Sequence, residues 1–142
     1  MRASAALLVL VVCALSPSCG STPETFVRTM ESSWAAIELR DDVPYEKAWA
    51  SVVDLLAKRF DLEMVNKEDG YCRTVWLYNW TGHLTENYRV RVTSKFSPDK
   101  KLCQVKSEAE HGGPGAWVQG YDTRLLETLK TDIMGSIGRT TR

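Results

Sequence analysis

The chain has 142 residues, with 18 Lys and Arg against 18 Asp and Glu, so it carries no formal net charge. That balance gives no net positive charge to steer the chain to nucleic acid. Hydrophobic residues make up 44%, and five Trp and five Tyr supply large apolar area, enough for one self-supporting core.

Taken in order, the chain opens with Arg2 and an apolar run from Ala5 to Leu15, too short to span a bilayer as a mature helix and followed at once by small residues. This is the pattern of a secretory signal. The segment Leu15-Ser16-Pro17-Ser18-Cys19-Gly20-Ser21 resembles the lipobox of bacterial lipoproteins, except that the family's Leu usually stands where Ser16 does. The resemblance implies removal of residues 1–18 and acylation of Cys19, which would anchor the chain to a membrane; ordinary secretion or an uncleaved anchor are the alternatives. Gly20 in place of Asp implies the outer membrane, facing the periplasm. Loss of Arg2 with the leader leaves 17 basic and 18 acidic residues, still close to neutral.

Residues 19–30 are small, polar and Pro-containing and read as a flexible tether, which leaves 31–142 as a single domain. Glu31 to Leu39 reads as a first strand, with either Trp34 and Ala36 or Ala35 and Ile37 inward. Pro44 suits a helix start, and Ala48, Trp49, Val52, Val53, Leu56 and Phe60 recur at helical spacing after it. Four strands follow: Leu62 to Asn66, Tyr71 to Trp80, Tyr88 to Phe96 and Leu102 to Glu110.

Closing the Pro98 to Lys101 turn with Ser97 opposite Leu102 sets Phe96 against Cys103, Val92 against Ser107 and Val90 against Ala109. The other face then pairs Arg91 with Glu108 and Arg89 with Glu110. Placing Trp80 opposite Tyr88 gives the neighbouring strand an inward row of Cys72, Trp76, Tyr78 and Trp80. A last helix carries Leu125, Leu126, Leu129, Ile133 and Ile137, capped by Asp122 or Thr123. The expected fold is α+β, a two-layer sandwich in the order (β)αββββα with an antiparallel sheet and both helices on one face. Cys72 and Cys103 then lie two strands apart, beyond disulfide reach, and are expected as buried free thiols.

Few residues invite chemistry. His83 and His111 each read as loop residues, and neither comes with the ligand spacing of a zinc site or with a nucleophile. Gly112-Gly113-Pro114-Gly115 lacks the Lys and Ser or Thr of a phosphate loop. No metal, cofactor or catalytic residue is expected.

Trp76, Tyr78 and Trp80 are read either as core or as a stacking platform for sugars or bases. Trp80, Tyr88 and Trp117 could line a small cavity between sheet and helices, and Trp117 could equally plug the core or stand exposed. On the outer sheet face, Tyr71, Val75 and Leu77 lie beside Arg73, Arg89, Arg91 and Lys95, which is either ordinary exposed apolar surface or a protein-contact face.

The runs Pro44 to Leu56, Asp69 to Trp76, Tyr88 to Val92 and Gly120 to Leu126 resemble the helix-grip domains of BamC-type lipoproteins, accessories of outer-membrane barrel assembly. The resemblance spans about residues 31 to 138, with one domain here where that family has two. It implies a non-enzymatic envelope lipoprotein whose partners are a membrane, reached through its lipid, and an envelope protein. The alternative is a module that binds a small ligand or lipid in the cavity.

Overall fold

A computed structural model describes residues 21–31 and 33–140; the leader, Cys13 and Cys19 lie outside the described residues. The element order is β1 (Phe26–Arg28), β2 (Ala35–Glu38), α1 (Tyr45–Ala57), β3 (Leu62–Asn66), β4 (Tyr71–Thr74), β5 (Tyr88–Phe96), β6 (Leu102–His111), β7 (Val118–Asp122) and α2 (Thr123–Ile137). All strand pairs are antiparallel, in the order β1-β7-β6-β5-β4-β3, and β2 also pairs with β6. The fold is α+β with a seven-stranded sheet, more strands than the sequence pattern suggests.

β5 and β6 form the frame. Nine consecutive pairs run from Tyr88↔His111 to Phe96↔Cys103, in the register that hydrophobic alternation and charge pairing both require. Inward lie Val90, Val92, Phe96, Cys103, Val105 and Ala109, all buried. Both helices cover this face. Trp49 of α1 packs its ring 6.1 Å from that of Phe96, and Val52, Leu56, Leu125, Leu129, Ile133 and Ile137 complete the core. Ile37 of β2 points into the same core, so the Ala35 and Ile37 alternative is the one realised.

Two strands were not legible. β1 falls in the stretch read as flexible tether, and β7 in the stretch read as a loop before the last helix. Each is short, and β7 contains Gly120, a poor strand former. They form because they pair with each other and with the end of β6. Gly120 is needed for this: a side chain there would overlap the Val27 carbonyl oxygen and the Phe26 ring.

A buried carboxyl ties these elements together. Asp122 is fully buried and caps α2, one oxygen accepting from the Leu125 amide at 2.8 Å. The other accepts from the Tyr88 hydroxyl at 2.6 Å and the Thr25 hydroxyl at 2.7 Å. The Thr25 carbonyl in turn accepts from the Thr123 amide at 2.8 Å. The far end of α2 is tied to β2 by the Arg40 amide, which donates to the Ile137 carbonyl at 3.0 Å.

The fourth inward row of the sheet differs from the sequence pattern. β4 ends at Thr74, not Trp80. Its pairs are Cys72↔Ser94 and Arg73↔Thr93, two residues from the expected register, and only the isolated pair Leu77↔Val90 follows. The Val92 amide donates to the Thr74 side-chain oxygen at 2.9 Å, and the Val75 amide turns to the Asp61 carbonyl at 2.8 Å. With the ladder interrupted there, alternation slips by one residue, as at a β-bulge. Leu77 turns inward, and Trp76 and Tyr78 turn outward.

Cys72 and Cys103 are free and buried, as expected from their separation. Burial pushes the Cys72 thiol up to about 11 and the Cys103 thiol up to about 12. A thiol held protonated in the fold stabilises it fully below the ordinary cysteine value of 9.0, and that contribution is lost as pH rises towards 11 to 12. Urea midpoints should therefore fall over that window, and replacing both thiols by Ala should flatten the fall. Asp122→Ala removes a cap and leaves two hydroxyls without their acceptor; urea unfolding should show a loss of about 3 to 4 kcal/mol, against about 1 to 2 for Tyr88→Phe.

Candidate functional site

Alternation along β5 and β6 sends Arg89, Arg91, Thr93 and Lys95, with Gln104, Lys106, Glu108 and Glu110, to the face opposite the helices. Each Arg finds a carboxylate directly across the pair. Arg89 Nε donates to Glu110 Oε2 at 2.8 Å, and Arg91 donates through Nε and Nη2 to both oxygens of Glu108 at 3.1 and 3.2 Å. The Thr93 hydroxyl adds a third donor to Glu108 at 3.0 Å, and Lys106 lies 3.4 Å away. These pairs are half-buried.

They are half-buried because aromatic rings lie over them. Trp76 and Tyr78 come from the segment after β4, turned outward by the slip at Thr74; Trp117 precedes β7; Trp34 precedes β2. The Arg89 guanidinium stands 4.5 Å from the Trp76 ring and 4.2 Å from the Trp117 ring, and donates to the Tyr78 hydroxyl at 3.0 Å. Arg91 lies 4.5 Å from the same Trp76 ring. Further along, Lys95 and Lys106 lie 4.4 and 5.1 Å from the Trp34 ring. The outer face is thus a layer of alternating cations and rings, three of the chain's five Trp among them. Each cation–π contact contributes roughly 0.5 to 2 kcal/mol, more where water is excluded.

Chemically, the layer offers flat π area and paired charge. The guanidiniums of Arg89 and Arg91 are already engaged by carboxylates, so they hold little free positive charge for a phosphate. Among the described residues no group of three or more His, Cys, Asp and Glu stands where it could hold a metal ion. No helix among them is long and apolar enough to cross a membrane.

Arg89 and Arg91 therefore occupy the face assigned to them. Tyr71 also lies on it, opposite Lys95, and Val75 is 43% exposed beside it. Leu77 does not, since it packs against the core. Trp34, Trp76 and Tyr78, which do build the face, were not assigned to it; the alternation from Tyr71 onward carries no Gly or Pro to announce the slip.

The residues Trp80, Tyr88 and Trp117 are not brought together. Tyr88 is buried on the helix side with its hydroxyl on Asp122, and burial together with that hydrogen bond pushes it well above the ordinary tyrosine range. Trp80 packs at the edge of the same core with Arg124 5.8 Å from its ring, whereas Trp117 lies across the sheet on Arg89. His83 is exposed in its loop, but His111 ends β6 and is half-buried, its ring 6.1 Å from Phe26 and 6.5 Å from Tyr88. It is a strand residue and not the solvated loop residue expected.

Compared with the models of known protein families and with curated proteins, the chain matches none.

Burial pushes the Glu108 carboxyl up, but the hydrogen bonds and charge of Arg91, with Lys106 and the Thr93 hydroxyl, outweigh it and hold it below the ordinary glutamate value. A lowered carboxyl stabilises the fold fully above pH 4.5, and that contribution is lost as pH falls through the lowered value. Stability measured from pH 6 to pH 3 should drop at the acid end. Glu108→Gln should flatten the drop and lower the plateau by about 2 to 3 kcal/mol, as it leaves Arg91 without its anionic partner.

Proposed function

We propose that this chain is a non-enzymatic bacterial envelope lipoprotein, anchored through acylated Cys19 in the outer membrane and facing the periplasm. Its domain serves as a protein-interaction or assembly-accessory module, and the contact face is the outer surface of the sheet.

One observation carries the reading: Trp34, Trp76, Tyr78 and Trp117 interleave with Arg89, Arg91 and Lys95 on the face that no helix among the described residues covers. Trp, Tyr and Arg are the residues on which protein interfaces most often depend, because they supply large rigid area with few rotamers to freeze. Here they are already ordered against one another, so little entropy is left to lose on docking. Charge pairing within the face favours a protein over a polyanion as partner. The resemblance to BamC-type helix-grip domains points the same way, and the two helices laid across one face of an antiparallel sheet are compatible with it. A ligand held between sheet and helices has no such support, as Tyr88 is packed into the core and Trp117 lies on the opposite face.

A photocrosslinking residue in place of Val75 or Trp76 should capture one discrete envelope protein in intact cells, and Trp117→Ala should weaken that capture by about tenfold or more. Capture of nothing from either position, in a chain that remains folded and membrane-bound, would overturn the contact face.

A further inference from the structure

The two ends of the sheet differ in character, and the tether joins only one of them. The far end holds the turns Arg40-Asp41-Asp42, Lys67-Glu68-Asp69 and Asp99-Lys100-Lys101, with Arg139 paired to Asp41. At the other end, the loops Asn79–Asn87 and Gly112–Trp117 contain a single charged side chain, Glu86, and expose apolar groups. Leu84 is 79% exposed, and Pro114 and Ala116 are exposed in the other loop. Leu84, Pro114, Trp117 and Tyr78 line one open groove of about 540 Å³, whose inner wall is completed by Glu86 and by Arg89 beneath the Trp117 ring.

The tether reaches the domain at that charge-poor end. Ser21 and Pro23 line a groove together with Thr81, His83, Thr85 and Tyr88. The chain is then fixed by Thr25, whose hydroxyl donates to Asp122 and whose carbonyl accepts from Thr123. Only six residue steps separate Cys19 from Thr25, a reach of about 20 Å when fully extended. A domain pinned that close to its anchor cannot turn its far end to the membrane.

We infer that the Asn79–Asn87 and Gly112–Trp117 end of the sheet lies on the bilayer surface, with Leu84 and Pro114 in the interfacial zone and Trp117 behind them. The occupant is phospholipid. An end whose loops carry one carboxylate, Glu86, incurs far less desolvation than the far end's several Asp, Glu and Lys would, and Leu and Trp are favoured at that depth. The outer sheet face then stands roughly upright, open to a partner approaching along the membrane. This orientation rests on acylation of Cys19.

The test uses the full chain purified from its native membrane, its N-terminal mass measured, and reconstituted in phosphatidylethanolamine and phosphatidylglycerol vesicles that contain a lipid-borne quencher. A fluorophore is placed at Leu84→Cys, at Ala116→Cys and, on the far end, at Glu68→Cys; the buried Cys72 and Cys103 stay unlabelled. Quenching at 84 and 116 about threefold or more above that at 68 is expected. Equal quenching at both ends in an acylated chain would overturn the orientation alone. An N-terminus without acyl chains would overturn the anchoring and the orientation together.

Discussion

A carboxyl with no solvent contact must have its oxygens used, and in this domain three elements supply the donors. Asp122 takes the Leu125 amide of α2, the Tyr88 hydroxyl of β5 and the Thr25 hydroxyl of the incoming chain. Leaving any one donor unmade costs its desolvation, so the helix start, the first residue of the frame strand and the end of the tether are held in one geometry. The Ser107 hydroxyl, donating to the Asp122 carbonyl at 2.8 Å, attaches β6 to the same point. Without that node, β1 and β7 would be two short segments held only by their ladders to each other and to the end of β6.

The sheet solves its two-face problem in two different ways. Aliphatic side chains of α1 and α2 cover the inner face, as in most two-layer α+β folds. Among the described residues no helix lies on the outer face, which is covered by rings from three loops laid over cations, Arg89 and Arg91 being neutralised across the strand pair. Such a layer excludes water from the Arg–Glu pairs, which raises their worth above that of ordinary surface pairs. It also leaves the surface rigid and amphipathic.

Two of the covering rings reach this face through one local event. If β4 had continued its alternation, Trp76 and Tyr78 would have been turned toward the helix layer, opposite Val90 and Tyr88. The Thr74 side chain takes the Val92 amide in place of a backbone carbonyl, and the slip that follows delivers Leu77 to the core and the two large rings to Arg89 and Arg91. The Thr74 hydroxyl thus stands at the point where Trp76 and Tyr78 join Trp34 and Trp117 on the outer face.

The sequence by itself determined what is periodic: α1 and α2 with their buried residues, the cap at Asp122, the register of β5 on β6 and the free thiols. Those features rest on local spacing and on a turn of fixed length, so neighbours in the chain suffice to specify them. Only the tertiary structure decided that Phe26–Arg28 and Val118–Asp122 are strands, because each exists by pairing with a segment remote in sequence. It alone decided that Trp76 and Tyr78 face outward while Leu77 faces inward, because a one-residue slip in a strand without Gly or Pro leaves no mark on composition. The candidate face was therefore legible at Arg89 and Arg91, which sit on the regular pair, and illegible at the rings that cover them, which sit on loops.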